Sequence, residues 1–296
     1  MALLGIDLGA TKISAAIFND DGDILQRSYS LLEGRSGEDA GILVCESIKS
    51  LAKEFDISGA GICVPGIVYS KRGTVWCPNI PGWDDYPLGQ RLKDSLGDIK
   101  IGIESDRTCY ILGEKWKGAA KDCDNAIYLA VGSGIGAGIL LDGRVIHGAD
   151  DVVGATGWMA LESEYDKDWD QCGCFETFAS GNGIGYQASK LYGREVSSHQ
   201  VFKLYAEGDE VAVKVIRKAV QMWGKGAANL VSLFNPEMIV FGGGVFSGAA
   251  RELIPDIYHE ALKWAQPISI KKTRFCASEV GSDAALLGAG YLARNL

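Results

Sequence analysis

The sequence predicts an α/β protein of two lobes, and two observations carry that expectation. A chain of 296 residues is long enough for about two compact domains of ~100–200 residues each. Both halves also open on the same plan, three apolar strands joined by tight turns, before helices and strands alternate. A boundary near Gly118 gives lobes of 1–117 and 118–283, with the last helix, about 284–296, packing back on the first lobe.

In the first half the strands read "LLGIDLG", "KISAAIFN" and "ILQRSYSLL", with "DDGD" (Asp20 to Asp23) punctuating a hairpin. A helix follows in "GEDAGILVCESIKSLAKEFD", where Ile42, Leu43, Cys45, Ile48 and Leu51 recur at helical spacing. The strands "ISGAGICVPG" and "IKIGIES", separated by a helix near "PLGQRLKDSLG", and a last helix complete βββαβαβα. The second half begins "NAIYLAVGSGIGAGILLDGRVIHG", again strand, glycine turn, strand, polar turn and strand. An irregular stretch, Ala149 to Cys174, leads to helices that include a long one from about Glu210 to Phe234. The strand "EMIVFGG", a helix within Arg251 to Trp264, the strand "ISIKKTRF" and the helix "DAALLGAGYLARN" follow.

A hydrophobic fraction of 47% with 23% charged residues is that of a folded soluble protein, and 39 glycines against 7 prolines point to tight turns rather than linkers. The net charge of −9 offers no footprint for nucleic acid or an anionic membrane. No apolar run reaches the ~20 residues of a membrane span, and the opening "MALLGIDLGATK" lacks the basic start of a secretory signal, so the expected compartment is the cytoplasm. The eight cysteines sit mostly in apolar periodic segments, the pattern of reduced core thiols.

Three glycine loops at strand ends are the candidate chemistry. "GIDLGATK" joins Asp7 to a Gly-Ala turn and to Thr11 and Lys12, so that backbone amides, a hydroxyl and an ammonium could meet a phosphate. Asp7 there could hold Mg²⁺ through water, since that ion keeps several waters and takes one or two carboxylates; an ordinary β-turn fits the same residues. "VGSGIGAG" (Val131 to Gly138) offers a second loop, followed by a strand and so not a dinucleotide fingerprint. "FGGGV" (Phe241 to Val245) is a third, with room for a flat adenine ring. In "IESDRTCYILGE" a strand turns into a helix at Ser105 and Asp106. Two readings stay open for Asp106: a helix cap, or a carboxylate presented where open α/β sheets bind ligands.

Together with "VPGIV" (Val64 to Val68), "PNIPGWDDYPL" (Pro78 to Leu88) and "SGNGI" (Ser180 to Ile184), these segments resemble, over essentially the whole chain, the ROK family of sugar kinases and repressors. That family belongs to the actin-like ATPase (ribonuclease H-like) superfamily, so the resemblance implies two α/β lobes with a cleft between them. It further implies ATP and Mg²⁺ as cofactors, a small-molecule sugar or polyol as partner, and a homodimer. Asp106 matches the general base. Gly9, Ala10, Thr11 and Lys12, with Gly132, Ser133 and Gly134, match phosphate contacts, and Gly242, Gly243 and Gly244 the nucleotide loop. Gly66, Asn79, Ser105, Asp106, Trp158 and Glu176 fall at sugar-site positions.

The departures lie in the sugar site. The family's glycine-glutamate-x-glycine-histidine appears as "GATGW" (Gly154 to Trp158), leaving Ala155 and Trp158 where hydroxyl-reading glutamate and zinc-ligating histidine belong. Ser105 replaces an asparagine. The cysteine-rich loop shrinks to "QCGCFE" (Gln171 to Glu176), too few ligands for a structural zinc, so no zinc is expected and Trp158, Met159 and Trp169 are expected to pack in its place. The function expected is ATP-dependent phosphorylation of a sugar or sugar-like polyol, with glucose a poor fit. The alternative is a catalytically weak or inactive sugar- or nucleotide-binding regulator; a radical-enzyme activase fits Cys172 and Cys174 poorly.

Overall fold

The structure, a computed structural model, describes residues 2–296. It divides into two compact α/β units. In the first unit lie β1 (Ala2–Leu8), β2 (Lys12–Phe18), β3 (Ile24–Leu31), α1 (Gly37–Ala52), β4 (Ile57–Val64), the hairpin β5 (Ile67–Tyr69) and β6 (Thr74–Trp76), α2 (Leu88–Leu96), β7 (Lys100–Ser105) and α3 (Asp106–Lys117). Its sheet runs β3-β2-β1-β4-β7, antiparallel through the meander and parallel from β1 to β4 to β7. β1 and β4 are interior strands covered on both faces, which is why they read as unbroken apolar runs rather than as alternation.

The second unit holds β8 (Ala126–Val131), β9 (Ile135–Leu141), β10 (Arg144–Val145), α4 (Cys174–Ala179), α5 (Gly181–Tyr192), α6 (Ser198–Ala206), α7 (Glu210–Phe234), β11 (Met238–Gly242), α8 (Ile254–Ala261) and β12 (Arg274–Ala277). Its sheet order, β10-β9-β8-β11-β12, repeats the plan of the first. The long α7 starts where the Asp209 carboxylate accepts from the amides of Val211 and Ala212, and it stops at Asn235, which takes the left-handed conformation of a C-cap.

The chain then returns to the first unit as α9 (Ala284–Arg294), packed on α3, β1 and β4. Glycines let these backbones meet: a Cβ on Gly61 would lie 1.9 Å from the Ala289 carbonyl oxygen, and one on Gly288 the same distance from that of Cys109. On the opposite face, Trp83 and Tyr86 stack at 4.5 Å and Trp83 donates to the Gly37 carbonyl, closing the core over α1.

The structure departs from the sequence reading in four places. The chain passes to the second unit after Lys121, not after Lys117, because the Glu114 carboxylate accepts from the Ala119 amide and holds the following turn on α3. His147–Val153 belongs with the first unit. The β5–β6 hairpin was not expected. Of "ISIKKTRF" only the end is strand: Gln266 Oε1 accepts from the amides of Ile268 and Ser269 and winds the segment into turns before β12. Among the described residues no helix is long and apolar enough to cross a membrane.

Candidate active site

In the first unit, Asp7 lies near the end of β1 and Asp106 directly follows β7, the two strands flanking β4. Asp7 lies on β1 in register with Cys63 of β4, whose thiol hydrogen-bonds its carboxylate. Burial pushes the Asp7 carboxyl up to about 6, the charges of Asp106 and Asp283 add to the rise, and Lys12 opposes it. Asp7, Lys12 and Asp106 therefore share one electrostatic neighbourhood. Ser105, not Asp106, is the cap: its Oγ accepts from the Thr108 amide at 3.3 Å and contacts the Thr108 hydroxyl at 3.2 Å. Asp106 is the first helical residue, and its donors are backbone amides, that of Arg107 at 2.8 Å among them. Burial raises its pKa as well.

The turn after β1 closes when the Gly9 amide donates to the Lys12 carbonyl at 2.8 Å, so Gly9 shapes the loop while Ala10, Thr11 and Lys12 stand exposed. A Cβ on Gly66 would meet the Trp76 carbonyl at 1.9 Å, which makes this glycine a packing requirement of the β5–β6 hairpin. Asn79 is exposed in a turn closed by the Ile80 amide on the Cys77 carbonyl. Cys77, pushed up to about 12 by burial, also feels the charge of Asp106, so this turn lies within the carboxylate's electrostatic reach.

In the second unit, the Gly132–Gly134 loop is held from outside. The Gly181 amide donates to the Gly132 carbonyl at 2.7 Å and that of Asn182 to Ser133 at 3.4 Å, seating the loop on the N-terminus of α5. The Glu176 carboxylate fits between Gly134 and Gly157, where a Cβ on either would come within 2.8 Å of it, and accepts from the Ile135 amide at 2.6 Å. Burial raises its pKa against that hydrogen bond. The three glycines of "FGGGV" differ in purpose. Gly242 and Gly243 admit Tyr128 and the Val131 backbone, whereas Gly244 faces open space in a cavity of about 700 Å³.

That cavity joins Gly132 and Ser133 to Gly244, and α6 and the start of α5 form much of its remaining wall. His199, Phe202, Lys203 and Ala206 line it, residues that the sequence reading missed. Their spacing, i, i+3, i+4 and i+7, was a readable helical face behind the Ser197–Gln200 capping box.

Trp158 does not pack as expected: its side chain is 58% exposed, at the end of a short 3₁₀ turn. Trp169 does, edge-on to Phe178 and near Tyr165. Cys174 is buried, and Cys172 Sγ sits 3.3 Å from the Thr177 hydroxyl. Among the described residues no three His, Cys, Asp or Glu side chains are grouped to hold a metal ion.

A family model described as "ROK family" matches residues 3–296. The chain belongs to the ROK family. A ROK relative, the glucokinase of Thermotoga maritima, is 28% identical over 312 residues, covering 100% of this chain and 98% of that protein. The N-acetyl-D-glucosamine kinase of an Escherichia coli strain is 27% identical over 303 residues, 97% of this chain and 98% of its own. Among solved structures, the ROK glucokinase from Streptomyces griseus in complex with glucose and AMPPNP superposes with a TM-score of 0.78 at 26% identity, covering 100% of both chains.

Proposed function

We propose that this protein transfers the γ-phosphoryl group of ATP to a hydroxyl of a sugar or sugar-like polyol, with Asp106 as general base. At the coarser level the chain is an ATP-dependent carbohydrate kinase, as its ROK membership and its relatives establish. The observation that carries the finer reading is the placement of Asp106. Its carboxylate is desolvated, oriented by backbone amides at the start of α3, and beside a second desolvated carboxylate, Asp7.

Positioning and charge neutralisation dominate phosphoryl transfer. Asp106 accepts the proton of the acceptor hydroxyl as its oxygen attacks the γ-phosphorus, and ADP departs. Desolvation makes Asp106 a stronger base than an exposed aspartate, which suits that task. The hydroxyl of Thr11 and the ammonium of Lys12 meet phosphate oxygens, as does the Gly132–Gly134 loop. The 700 Å³ cavity takes the nucleoside against α6 and Gly244.

Asp7 suits Mg²⁺: a hard oxygen donor, buried, with the charges of Asp106 and Asp283 around it, gains from a cation and needs few protein partners. Asp7 would hold the ion, which would supply neutralisation of charge on the phosphates. Asn79 and Glu176 remain as polar acceptor contacts. Ala155 and the exposed Trp158 leave hydroxyls unread that a glucose-specific site would read, at about 1–3 kcal/mol for each lost partner, so glucose is a poor acceptor.

The test is ADP release across hexoses, aminosugars, N-acetylhexosamines and cyclitols, with Asp106→Asn as the control. Because Ser105 caps α3, that variant keeps its helix and its ATP affinity while turnover falls by about 10²–10⁴-fold. Turnover within a few-fold of wild type would remove Asp106 from the base role.

A further inference from the structure

A second cavity of the second unit, about 410 Å³, lies beside Glu176 and shares Asn182, at the start of α5, with the nucleoside cavity; no step of phosphoryl transfer uses it. Its volume falls within the ~300–1,000 Å³ of ordinary ligand sites. Glu176, Asp168, Gln171, Asn182 and Tyr186 line it, and the Lys167 side chain, also in the wall, offsets one of the two carboxylate charges. The floor is fixed: Glu176 is tied to the Ile135 amide, and the Thr177 hydroxyl donates to the Gly173 carbonyl at 2.8 Å. The rim is also built in advance. Asp168 accepts from Lys190 at 3.0 Å and from the Tyr186 hydroxyl at 3.3 Å, so its charge is balanced and its oxygens are aimed.

This lining matches a neutral polyhydroxylated ring. Two carboxylates accept from hydroxyls, the Lys167 ammonium donates, the amides of Gln171 and Asn182 do both, and the half-exposed Tyr186 ring, with Lys190 Nζ 5.0 Å from its centroid, adds apolar surface. An N-acyl substituent carries one N–H and one C=O and would leave most of these groups unanswered. The segment that carries Gln171 is held down, with a Cβ on Gly173 coming within 2.5 Å of the Gly157 carbonyl and the Trp158 Cα.

We propose that the cavity receives a second glycosyl unit, so that the phosphoryl acceptor is a glycoside or disaccharide rather than a free monosaccharide. The proposal rests on Glu176 touching the acceptor, since that side chain then borders both rings.

The test compares kcat/KM for cellobiose, maltose and sucrose with glucose, fructose and N-acetylglucosamine, on wild type, Tyr186→Ala and Gln171→Ala, alongside calorimetric binding of the same sugars. At least one disaccharide is expected to exceed each monosaccharide by about tenfold or more. Each variant is expected to lower that disaccharide's kcat/KM about tenfold through KM, with a matching loss of calorimetric affinity and less than twofold change for monosaccharides. A monosaccharide preferred over every disaccharide, N-acetylglucosamine included, overturns the cavity proposal and leaves the kinase reading intact. Variants that depress both substrate classes alike overturn it too. Absence of ADP release and of calorimetric binding with all three disaccharides overturns the cavity proposal, whereas the Asp106 reading falls on the wider panel of hexoses, aminosugars, N-acetylhexosamines and cyclitols.

Discussion

His147 Nε2 stands 2.8 Å from Glu104 Oε1, two residues before Asp106. It fastens His147–Val153 to the first unit together with Asp151, which accepts from Ser70, and Lys71, which donates to the Ala149 carbonyl. The hydrogen bond to Glu104 raises the His147 pKa above 6.5, burial opposes the rise, and Asp151 adds to it. A raised folded-state pKa stabilises the protein fully below the unfolded value and loses that contribution as pH climbs through the folded value. His147→Gln should therefore cost stability at pH 6 and progressively less above neutrality. The pair is partly exposed, so the difference is at most about 1 kcal/mol. Melting curves of both proteins from pH 5.5 to 9 measure it, and a gap that widened with pH would contradict the assignment.

Asp7→Asn and Lys12→Ala should act on the nucleotide rather than on the sugar. With the carboxylate neutralised, KM for Mg·ATP should rise about tenfold or more, and direct Mn²⁺ binding followed by electron paramagnetic resonance should weaken in parallel for Asp7→Asn. Unchanged nucleotide kinetics in both variants would reduce the loop to a turn.

The Thr156 hydroxyl is buried without a hydrogen-bond partner. An orphaned buried hydroxyl carries a desolvation cost that an isosteric methyl group lacks. Thr156→Val should leave stability unchanged or raise it by about 1 kcal/mol. A clear fall in melting temperature would mean that the hydroxyl has a partner in solution.

Gly61→Ala should be among the most damaging small substitutions. Its Cβ would fall 1.9 Å from a helix carbonyl that cannot move without moving α9. Overpacking of that kind costs about 1–3 kcal/mol, to be read as a lowered midpoint in urea.

The meanders and long helices were legible because period and turn chemistry are local: "DDGD" and the Asp209 and Asn235 caps fix their own neighbourhoods. What escaped was set by distant partners. Glu176 depends on an amide 41 residues earlier. Ser105 and Asp106 both suit a helix start, and only the geometry gives the cap to Ser105 and frees Asp106. The α6 wall carried a readable face, but its meaning came from Gly132 and Gly244 meeting it across the second unit. Gln266 erased half of a strand with two side-chain hydrogen bonds, which no alternation of residues could announce.

Because α9 closes a groove formed by β1, β4 and α3, the body of the first unit waits for residues that come after nearly all of the second. On a ribosome, the surface around Gly61, Cys63 and Cys109 leaves the exit tunnel long before Ala285 and Ala289 exist to cover it. The unit encoded first is thus finished last, the reverse of the usual order of domain folding during synthesis. Until α9 arrives, its nascent form presents that groove to solvent.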